Sequence, residues 1–464
     1  MSEARGNALL ERLRAIAGAD QVFAGEAVEP RFLSDFMVPA EGQPLAVVRP
    51  GSVADVCAVL RACADANTGV VPQGGMTGMA GGGTPVPGCV VLSLERMAGV
   101  EEVDPAAATL TAWAGTTLQA VQDAAREAGF FYPLDLGGRG SCRIGGNVGT
   151  NAGGNRVIRY GMTRDLVLGL EVVLADGTVI TALNKMLKNN AGYDLKQLFV
   201  GSEGTLGVVT RVVLRLHPLP RSTCTALCAV PDYDRVVALL RHAREGLGGT
   251  LSAFEMMWPD FYERITRLVP GCAPPIPCGH GAYLLIEALG ADQARDQERF
   301  EAMLAEAHAA GLLADAVVAH SQADAAALWR IRDGSGEFQR VFWPHVGFDV
   351  SIPTGDIGRF IDACTAAARG RWPEAETVFF GHVGDANIHI GIRVGDGDQP
   401  AHALEEMVYG LVREWRGSIS AEHGIGLLKR PYLGHSRSPE ELALMRTLKK
   451  ALDPGGILNP GKVI

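Results

Sequence analysis

The amino-acid sequence predicts an α+β protein with two domains, and three observations support this. Its 464 residues exceed the length of about 250 to 300 at which a single hydrophobic core stops growing. Short apolar strands and amphipathic helices alternate without the strict repetition of a β-α-β unit. Pro218-Leu219-Pro220 interrupts the pattern, so we expect a second domain to begin near residue 220.

The first half contains most of the expected alternation. After an N-terminal helical segment over 1–40, a strand at 45–50 precedes a helix over 53–66, which Ser52 can cap. A further helix is expected over 118–128. The other strands of this half are expected at 70–71, 90–94, 109–113, 167–174 and 208–216.

The second half predicts a sheet with helices and a C-terminal segment. Helices are expected at 233–245 and on either side of residue 310, and a strand end is expected at 419–422. The final stretch, 431–464, predicts a helix and an Asp-Pro-Gly-Gly turn. The expected strands lie at 225–230, 283–289, 348–352, 378–382 and 388–394.

Charge and cysteine usage exclude several classes of protein. The formal net charge of −10 supplies no basic field for nucleic acid or an anionic membrane. Nine cysteines without a CxxC pair predict free thiols in a reducing compartment. We find no secretion signal, and prolines interrupt the longest uncharged stretch, 268–286. We therefore expect a soluble, cytoplasmic protein without a transmembrane segment.

Glycine is the outstanding feature of the composition, with 58 glycines among 464 residues, against about 7% in average usage. Clusters at 72–83 and 145–154 can aim backbone N–H groups at a pyrophosphate. For either loop alone, a glycine-rich surface turn without a ligand is about equally expected. Neither a Rossmann GxGxxG motif nor a P-loop is present.

A second cluster of polar residues has the composition of a metal site. If 384–387 form a hairpin loop, His382 faces His389 across the ribbon, with Cβ atoms about 5 Å apart. Downstream, Glu422 and His423 stand in a glycine-rich stretch, and Glu422 would complete a two-His, one-carboxylate set for Zn²⁺ or Mn²⁺. Spacing alone leaves a purely structural hairpin the commoner explanation.

Seven ordered segments resemble the FAD-linked oxidase family, and more closely its D-2-hydroxyglutarate and D-lactate dehydrogenase branch. The resemblance implies a two-subdomain FAD-binding domain of the vanillyl-alcohol-oxidase type over 1–219. It also implies an α+β cap domain with an antiparallel sheet over 220–425, and a C-terminal segment, 426–464, that returns to the FAD domain. The segments are 72–83, 133–137, 141–147, 150–154, 159–161, 190–207 and 457–462.

The resemblance also implies which residues hold FAD. No histidine lies in 72–83, where covalent members often attach flavin, so we predict noncovalent FAD. Met76 stands where the branch commonly has asparagine. The implied FAD-binding residues are Pro72, Gly74, Gly75, Thr77, Gly78, Pro133, Asp135, Gly137, Ser141, Ile144, Gly145, Gly146, Asn147, Thr150, Asn151, Gly153, Gly154, Glu203, Gly204, Gly207, Val208 and Asn459.

For catalysis, the resemblance implies a metal held by His382, His389 and Glu422, with His423 as the base. Oxidation of a 2-hydroxy acid removes the hydroxyl proton while hydride leaves C2 for the flavin. An arginine fork suits the substrate carboxylate. By motif position, Arg332 is the first candidate for that clamp and Arg330 the second.

Three glycines bear on the substrate. By resemblance, Gly347 stands where the 2-hydroxyglutarate dehydrogenases have a lysine, and Gly391 where they have an asparagine. Gly336 lies near the position of their hydroxyl residue, with Ser335 adjacent. In that family these polar side chains look like the partners of the distal carboxylate. We therefore expect D-lactate or a bulkier monocarboxylic D-2-hydroxy acid, since the three glycines also leave space. If D-2-hydroxyglutarate is preferred instead, His345 or Arg330 would hold its second carboxylate.

Other functions stay open. The chain could be a flavoprotein subunit of a glycolate-oxidase-type complex. It could also be a soluble α+β protein without a bound cofactor, in which case the purified protein would be colourless. The electron acceptor could be a quinone, an electron-transferring flavoprotein, a cytochrome or oxygen. A homodimer also stays open.

Overall fold

A computed structural model describes residues 3–464 of the chain. They divide into two compact units, each built from separate stretches of sequence. Unit 1 contains the chain up to Gly154, Gly161–Leu219 and Glu422–Ile464, and unit 2 contains Asn155–Tyr160 and Pro220–Ala421.

The strands, numbered in chain order, are β1 (Val22–Phe23), β2 (Ala46–Val48), β3 (Val70–Gln73), β4 (Val90–Ser93), β5 (Val100–Asp104), β6 (Thr109–Trp113), β7 (Phe130–Phe131), β8 (Val167–Val173), β9 (Val179–Ala182), β10 (Val208–Arg215), β11 (His217–Pro218), β12 (Ser222–Val230), β13 (Leu251–Met257), β14 (Ala282–Gly290), β15 (Asp315–Val318), β16 (Val346–Ser351), β17 (Ala375–Gly381) and β18 (Asn387–Val394).

The helices are α1 (Glu3–Ala17), α2 (Val53–Asp65), α3 (Leu118–Glu127), α4 (Ile144–Thr150), α5 (Val157–Tyr160), α6 (Thr163–Leu166), α7 (Lys196–Phe199), α8 (Tyr233–Leu247), α9 (Pro259–Leu268), α10 (Gln293–Ala309), α11 (Gln322–Arg332), α12 (Phe338–Val341), α13 (Ile357–Arg371), α14 (Ala401–Glu414) and α15 (Pro439–Leu452).

Unit 1 is built on two main sheets. A four-stranded sheet has the order β1-β2-β4-β3, with parallel pairing of β2 and β3 to β4. A five-stranded antiparallel sheet has the order β5-β6-β10-β8-β9. Both contribute to one buried cluster that includes Val59, Val90, Leu110 and Val212, which is the apolar burial that stabilises the unit.

Unit 2 contains a seven-stranded antiparallel sheet, ordered β15-β12-β14-β13-β17-β18-β16. Its core includes Phe261, Tyr262, Tyr283 and Phe342. β13, β17, β18 and β16 are neighbours at one side of this sheet, so side chains on their shared face lie close together.

The predicted α+β fold is confirmed, and most predicted elements are present within a few residues. The Ser52 side chain caps α2 by accepting the Asp55 N–H at 3.1 Å. Sequence reasoning missed seven strands: β1, β5, β7, β9, β11, β13 and β15. The expected strand end at 419–422 is wrong: only an isolated bridge pairs Ser418 with Ser351, and the residues that follow form a loop.

The division of the chain differs from the expected boundaries at two places. Asn155–Tyr160 belongs to unit 2, because Arg156 pairs with Glu287 at 3.1 Å and Arg159 donates to the Thr250 carbonyl at 3.3 Å. The stretch 422–425, expected in the cap, belongs to unit 1. Among residues 3–464, no helix is both long and apolar enough to cross a membrane.

Candidate active site

The glycine-rich loops of unit 1 pack backbone against backbone. A Cβ on Gly75 would lie 2.1 Å from the Ser141 carbonyl oxygen, and one on Gly154 would lie 2.1 Å from the Asp135 carbonyl oxygen. A Cβ on Gly145 would meet Ala114 at 2.7 Å. These three glycines are therefore required by the packing of the loops themselves.

Other glycines of the same loops border open space. A Cβ on Gly137 or Gly146 would meet no described atom within 4 Å. Gly146 lies in the first turn of α4, where the Ile144 and Gly145 N–H groups donate outside the helix, to the Thr116 and Ala114 carbonyls. The room beside Gly137 and Gly146 lets the backbone approach the phosphates of FAD closely.

Several of the predicted FAD-binding residues make contacts within unit 1. Asp135 pairs with Arg139 at 3.1 Å, and the Asn151 side chain accepts the Arg164 N–H at 2.8 Å. The Ile144 and Val208 side chains are buried in the core, and the Ile144 N–H donates to the Thr116 carbonyl at 2.9 Å. The remaining predicted residues also lie in unit 1.

Glu203, predicted to bind FAD, holds a loop of unit 1. Its carboxylate accepts the Ile425 N–H at 2.7 Å and the Gly426 N–H at 2.9 Å. Burial raises the pKa of this carboxyl, and the two backbone donors oppose the rise. A Cβ on Gly424 would lie 2.8 Å from Glu203 Oε1, so glycine is needed there. The Asn459 amide donates to the Gly82 and Glu203 carbonyls.

In unit 2, the histidine hairpin forms with a different register from the predicted one. β17 and β18 place Phe380, not His382, opposite His389. The reason is a tight turn over 383–385, in which the His382 carbonyl accepts the Asp385 N–H at 3.1 Å and the Asn387 N–H at 3.2 Å. The two imidazoles remain neighbours, with ring centroids 5.5 Å apart.

His382 belongs to a buried cluster with Glu255 and Arg332. Glu255 Oε1 lies 2.8 Å from His382 Nδ1, and Glu255 Oε2 accepts the Arg332 Nε–H at 2.7 Å. Arg332 Nη2 lies 3.2 Å from His382 Nε2. Burial would raise the pKa of Glu255, but its contacts with His382 and Arg332 lower the pKa below its ordinary value.

His389 lies beside a second buried carboxylate, Asp349. Asp349 Oδ1 is 3.8 Å from His389 Nδ1, and it accepts the Asn387 side-chain N–H at 2.8 Å. Asp349 Oδ2 accepts the Ala421 backbone N–H at 3.1 Å. Glu422 and His423 follow Ala421 in the chain, and both are half-buried.

The candidate metal ligands of unit 2 fit a divalent cation. His382 and His389 each offer a ring nitrogen, and these atoms lie within 4.8 Å of each other. Asp349 also offers an oxygen within this distance of His389. Imidazole nitrogen with carboxylate oxygen is the donor set that Zn²⁺ and Mn²⁺ accept.

The structure separates the two candidate arginines. Arg332 is 4% exposed and sits against Glu255, whereas Arg330, two residues earlier in α11, is exposed and lies beside Gly271. His345 is half-buried, its Nδ1 lies 3.2 Å from the Phe342 carbonyl, and burial lowers its pKa. Arg332 is therefore the arginine that the fold brings to His382.

The three substrate-related glycines have different surroundings. A Cβ on Gly336 would meet nothing within 4 Å among the described residues, and one on Gly347 would lie 4.0 Å from His345 Nε2. A Cβ on Gly391 would lie 3.1 Å from the Phe342 ring. The expectation that all three glycines leave space is thus wrong for Gly391, because an aromatic ring fills that position.

Glu255 and Asp349 are the polar residues that sequence reasoning missed. Each interrupts an apolar strand, in Ala253-Phe254-Glu255-Met256-Met257 and in Gly347-Phe348-Asp349-Val350. An acid inside an apolar run signals a buried partner, because an unpaired carboxylate is costly to bury. That signal was present, although it does not identify the partner.

These features together define a flavin-dependent oxidoreductase with a polar cluster in its second unit. Residues 44–183 match the family model described as "FAD binding domain", and residues 219–463 match "FAD linked oxidases, C-terminal domain". The chain belongs to the FAD-linked oxidase family, and the resemblance inferred from the motifs is confirmed.

Similar proteins include several named dehydrogenases. The chain is 39% identical to mitochondrial D-2-hydroxyglutarate dehydrogenase of Arabidopsis thaliana, over 93% of this chain and 77% of that protein. It is 40% identical to D-2-hydroxyglutarate dehydrogenase of Xanthomonas citri, over 90% and 89% respectively. It is 36% identical to a putative mitochondrial D-lactate dehydrogenase of Schizosaccharomyces pombe, over 93% and 84%.

Solved structures confirm the vanillyl-alcohol-oxidase type of fold. The chain aligns with p-cresol methylhydroxylase at a TM-score of 0.81 and 16% identity, over 100% of this chain and 97% of that one. It aligns with alkyldihydroxyacetonephosphate synthase at a TM-score of 0.74 and 16% identity, over 98% and 84%. At such identities the likeness concerns the fold alone.

Proposed function

We propose that this protein oxidises a D-2-hydroxy acid to the 2-oxo acid. The observation that carries the proposal is the buried cluster of Arg332, Glu255 and His382, which combines a guanidinium for a carboxylate with an imidazole lone pair. The names of the relatives from Arabidopsis thaliana, Xanthomonas citri and Schizosaccharomyces pombe support the same class of substrate.

We propose that FAD binds noncovalently in unit 1. The open space at Gly137 and Gly146 supports this, as does the absence of histidine from 72–83. FAD, when bound, supplies the acceptor for the hydride of C2. The chain's own contribution there is a glycine-lined cradle, which lets the backbone approach the cofactor closely.

We propose that His382, His389 and Glu422 bind one divalent metal, Zn²⁺ or Mn²⁺. The closeness of the two histidine nitrogens supports the imidazole part of the site. Glu422 directly follows Ala421, whose backbone N–H donates to Asp349. This bond restrains the chain next to Glu422 and supports Glu422 as a metal ligand. The metal, when bound, would polarise the substrate hydroxyl and carboxylate.

We propose that His423 accepts the hydroxyl proton and that Arg332 binds the substrate carboxylate. His423 lies between two anchored positions of the chain, with Ala421 bonded to Asp349, and Ile425 bonded to Glu203. A base needs such restraint, because proton transfer requires hydrogen-bond distance to the reacting hydroxyl. Arg332 can offer its terminal nitrogens while its Nε stays bonded to Glu255.

For the substrate, we propose a monocarboxylic D-2-hydroxy acid such as D-lactate. The lack of side-chain donors at Gly336 and Gly347 supports this, since a distal carboxylate would find no partner from them. The second candidate is D-2-hydroxyglutarate, which the names of several relatives favour. His345, beside Gly347, or Arg330 would hold its second carboxylate.

One experiment tests the reaction and separates these substrates. Purified FAD-loaded protein is mixed anaerobically with D-lactate, L-lactate or D-2-hydroxyglutarate, and flavin absorbance is followed. D-lactate should bleach the flavin fastest and L-lactate should not bleach it. Flavin that no 2-hydroxy acid reduces would contradict the proposed reaction, and faster bleaching by D-2-hydroxyglutarate would select the second candidate.

We further propose that a separate acceptor, a quinone, an electron-transferring flavoprotein or a cytochrome, reoxidises the flavin. A reducing compartment such as the cytoplasm is supported by nine free cysteines, of which all except Cys278 are buried. A homodimer stays a prediction, and gel filtration of the isolated, active chain would separate it from a subunit of a larger complex.

A further inference from the structure

We propose that Glu255 is a positioning residue that orients both the metal ligand His382 and the substrate-binding arginine Arg332. This inference rests on the proposed function of the site and adds to it a residue that contacts neither metal nor substrate. Glu255 is 1% exposed and lies in β13, whose neighbour in the sheet is β17, the strand that leads to His382.

The two oxygens of Glu255 have different partners. Oε1 lies 2.8 Å from His382 Nδ1, and Oε2 accepts the Arg332 Nε–H at 2.7 Å. One carboxylate therefore restrains the imidazole and the guanidinium at the same time. Because Glu255 is bonded to Arg332 through Nε, the N–H groups of the terminal nitrogens can serve as donors to another anion.

The contacts also define the tautomer of His382. An ionised carboxylate only accepts hydrogen bonds, so Nδ1 must carry the proton that is donated to Glu255. Arg332 has only N–H donors, so Nε2, at 3.2 Å from Arg332 Nη2, must present its lone pair. That is the form of imidazole that binds a metal through Nε2, and metal-binding histidines commonly donate their other N–H to a carboxylate.

Arg332 and a metal would then use the same lone pair of His382. Loading the metal should release the Arg332 terminus from His382 while Glu255 keeps the guanidinium nearby. Glu255 favours metal binding, whereas the Arg332 cation opposes it. Removing Glu255 should therefore lower the metal affinity, and removing Arg332 should raise it. A merely structural role in the core would not produce these opposite changes.

The chain offers a matched control for the loss of a buried carboxylate. Glu287 is 2% exposed and lies in β14, the strand next to β13, where it accepts from Arg156 and from the Trp329 indole at 3.0 Å. Glu287→Gln removes the same charge from the same sheet. None of the hydrogen bonds of Glu287 described above involves His382, so this variant should leave metal affinity unchanged.

The test measures Zn²⁺ dissociation constants by competition with a chromophoric chelator, on FAD-loaded wild type, Glu255→Gln, Arg332→Met and Glu287→Gln. Glu255→Gln should weaken Zn²⁺ binding by about 10- to 100-fold, the usual effect of losing the carboxylate behind a metal-binding histidine. Arg332→Met should bind Zn²⁺ more tightly than wild type. Flavin-reduction assays of Glu255→Gln should also show a raised KM for the hydroxy acid.

Several outcomes would overturn the inference. Equal Zn²⁺ affinity in folded Glu255→Gln and wild type would remove the role of Glu255 while leaving the metal site intact. If Glu255→Gln and Arg332→Met both bind Zn²⁺ more weakly than wild type, the cluster would have only a structural role in the core. If Glu255→Gln does not fold, Glu255→Asp, which retracts the carboxylate by one methylene, should still weaken Zn²⁺ binding. Wild type that binds no Zn²⁺ would instead contradict the metal part of the proposed function, and the inference with it.

Discussion

At the scale of single residues, the proposed chemistry depends most on His423. Replacing it with alanine should lower the rate of flavin reduction by roughly 10²- to 10⁴-fold, the usual contribution of a positioned base, while FAD stays bound. Rapid-mixing absorbance measures this rate. His402, whose side chain is 79% exposed on α14, provides the control, and His402→Ala should react at the wild-type rate. A His423→Ala enzyme that retains the full rate would assign the proton transfer to another group.

The substrate preference can be tested at Gly347. This residue is exposed and a Cβ would lie 4.0 Å from His345 Nε2, so a lysine fits without displacing backbone. Gly347→Lys should raise kcat/KM for D-2-hydroxyglutarate relative to D-lactate, because it adds a cation for the distal carboxylate. Gly397→Lys adds the same charge at an open position and should leave the ratio unchanged. An unchanged ratio in Gly347→Lys would place the substrate side chain elsewhere.

Lys462 predicts a pH dependence of stability. It is 1% exposed, and burial lowers its pKa from the ordinary 10.5 to about 8. Between these values the unfolded chain binds more protons than the folded one, so this residue makes the free energy of unfolding rise with pH. Urea unfolding at pH 7.5 and 9.5 should show that wild type gains stability relative to Lys462→Met. A difference that stays constant across this range would disprove the shift.

The sequence identified the candidate ligands His382, His389 and Glu422. It did not identify Glu255 and Asp349, the carboxylates that lie beside the two histidines. The histidines stand in a recognisable motif, whereas Glu255 meets its partners across long stretches of chain. An acid in an apolar run indicates a buried partner, yet only the strand order of the sheet brings β13 to His382. The missing information was therefore long-range pairing.

At the scale of elements, the loop that carries His423 depends on a glycine with left-handed backbone. Gly424 has φ +79°, and a Cβ there would lie 2.8 Å from Glu203 Oε1. Gly424→Ala should lower the midpoint of thermal unfolding and the rate of flavin reduction, because left-handed backbone alone costs a residue with a Cβ about 1–2 kcal/mol. Gly434→Ala, at an open position without positive φ, is the control and should leave both unchanged. A Gly424→Ala protein with wild-type values would show that the loop adapts.

The histidine hairpin shows why a motif predicts proximity better than register. The spacing of His382 and His389 correctly placed both rings near each other, but it assumed a four-residue loop with the histidines opposite. The chain instead closes a tight turn with Ala386 at φ +72°. Register depends on such turn geometry, and sequence signals for it are weak when the turn lacks a glycine at its left-handed position.

At the scale of the whole molecule, the cofactors are proposed to lie in different parts of the chain. The glycine loops belong to unit 1, whereas His382 and His389 belong to unit 2. Chelation should therefore abolish turnover and leave the flavin spectrum largely intact. Absorbance and activity, measured before and after dialysis against a chelator, check this. Metal-free enzyme with full activity would remove the metal from the mechanism.

The mode of FAD attachment can be tested on the same preparation. Acid precipitation should release yellow flavin into the supernatant, because 72–83 contains no histidine for a covalent bond. Flavin that remains in the pellet would contradict noncovalent binding. Treatment of the pellet with a protease, followed by mass analysis of flavin-bearing peptides, would then locate the bond.

The overall fold was the most predictable level, since the apolar periodicity and many ordered motifs agreed. What sequence reasoning did not anticipate is the six-residue excursion Asn155–Tyr160 into unit 2. That excursion depends on Arg156 and Arg159 meeting groups far along the chain, which no local pattern encodes.

The interleaved chain has a consequence for synthesis on the ribosome. The Val70 N–H donates to the Ile457 carbonyl at 2.7 Å, and the Asn459 N–H donates to the Val70 carbonyl at 2.7 Å. Unit 1 therefore cannot add this pairing to β3 of its four-stranded sheet until residues 457–459 have been translated. Unit 2 is complete at Ala421, so we expect the unit that contains the beginning of the chain to mature last, the reverse of the usual vectorial order of domain folding.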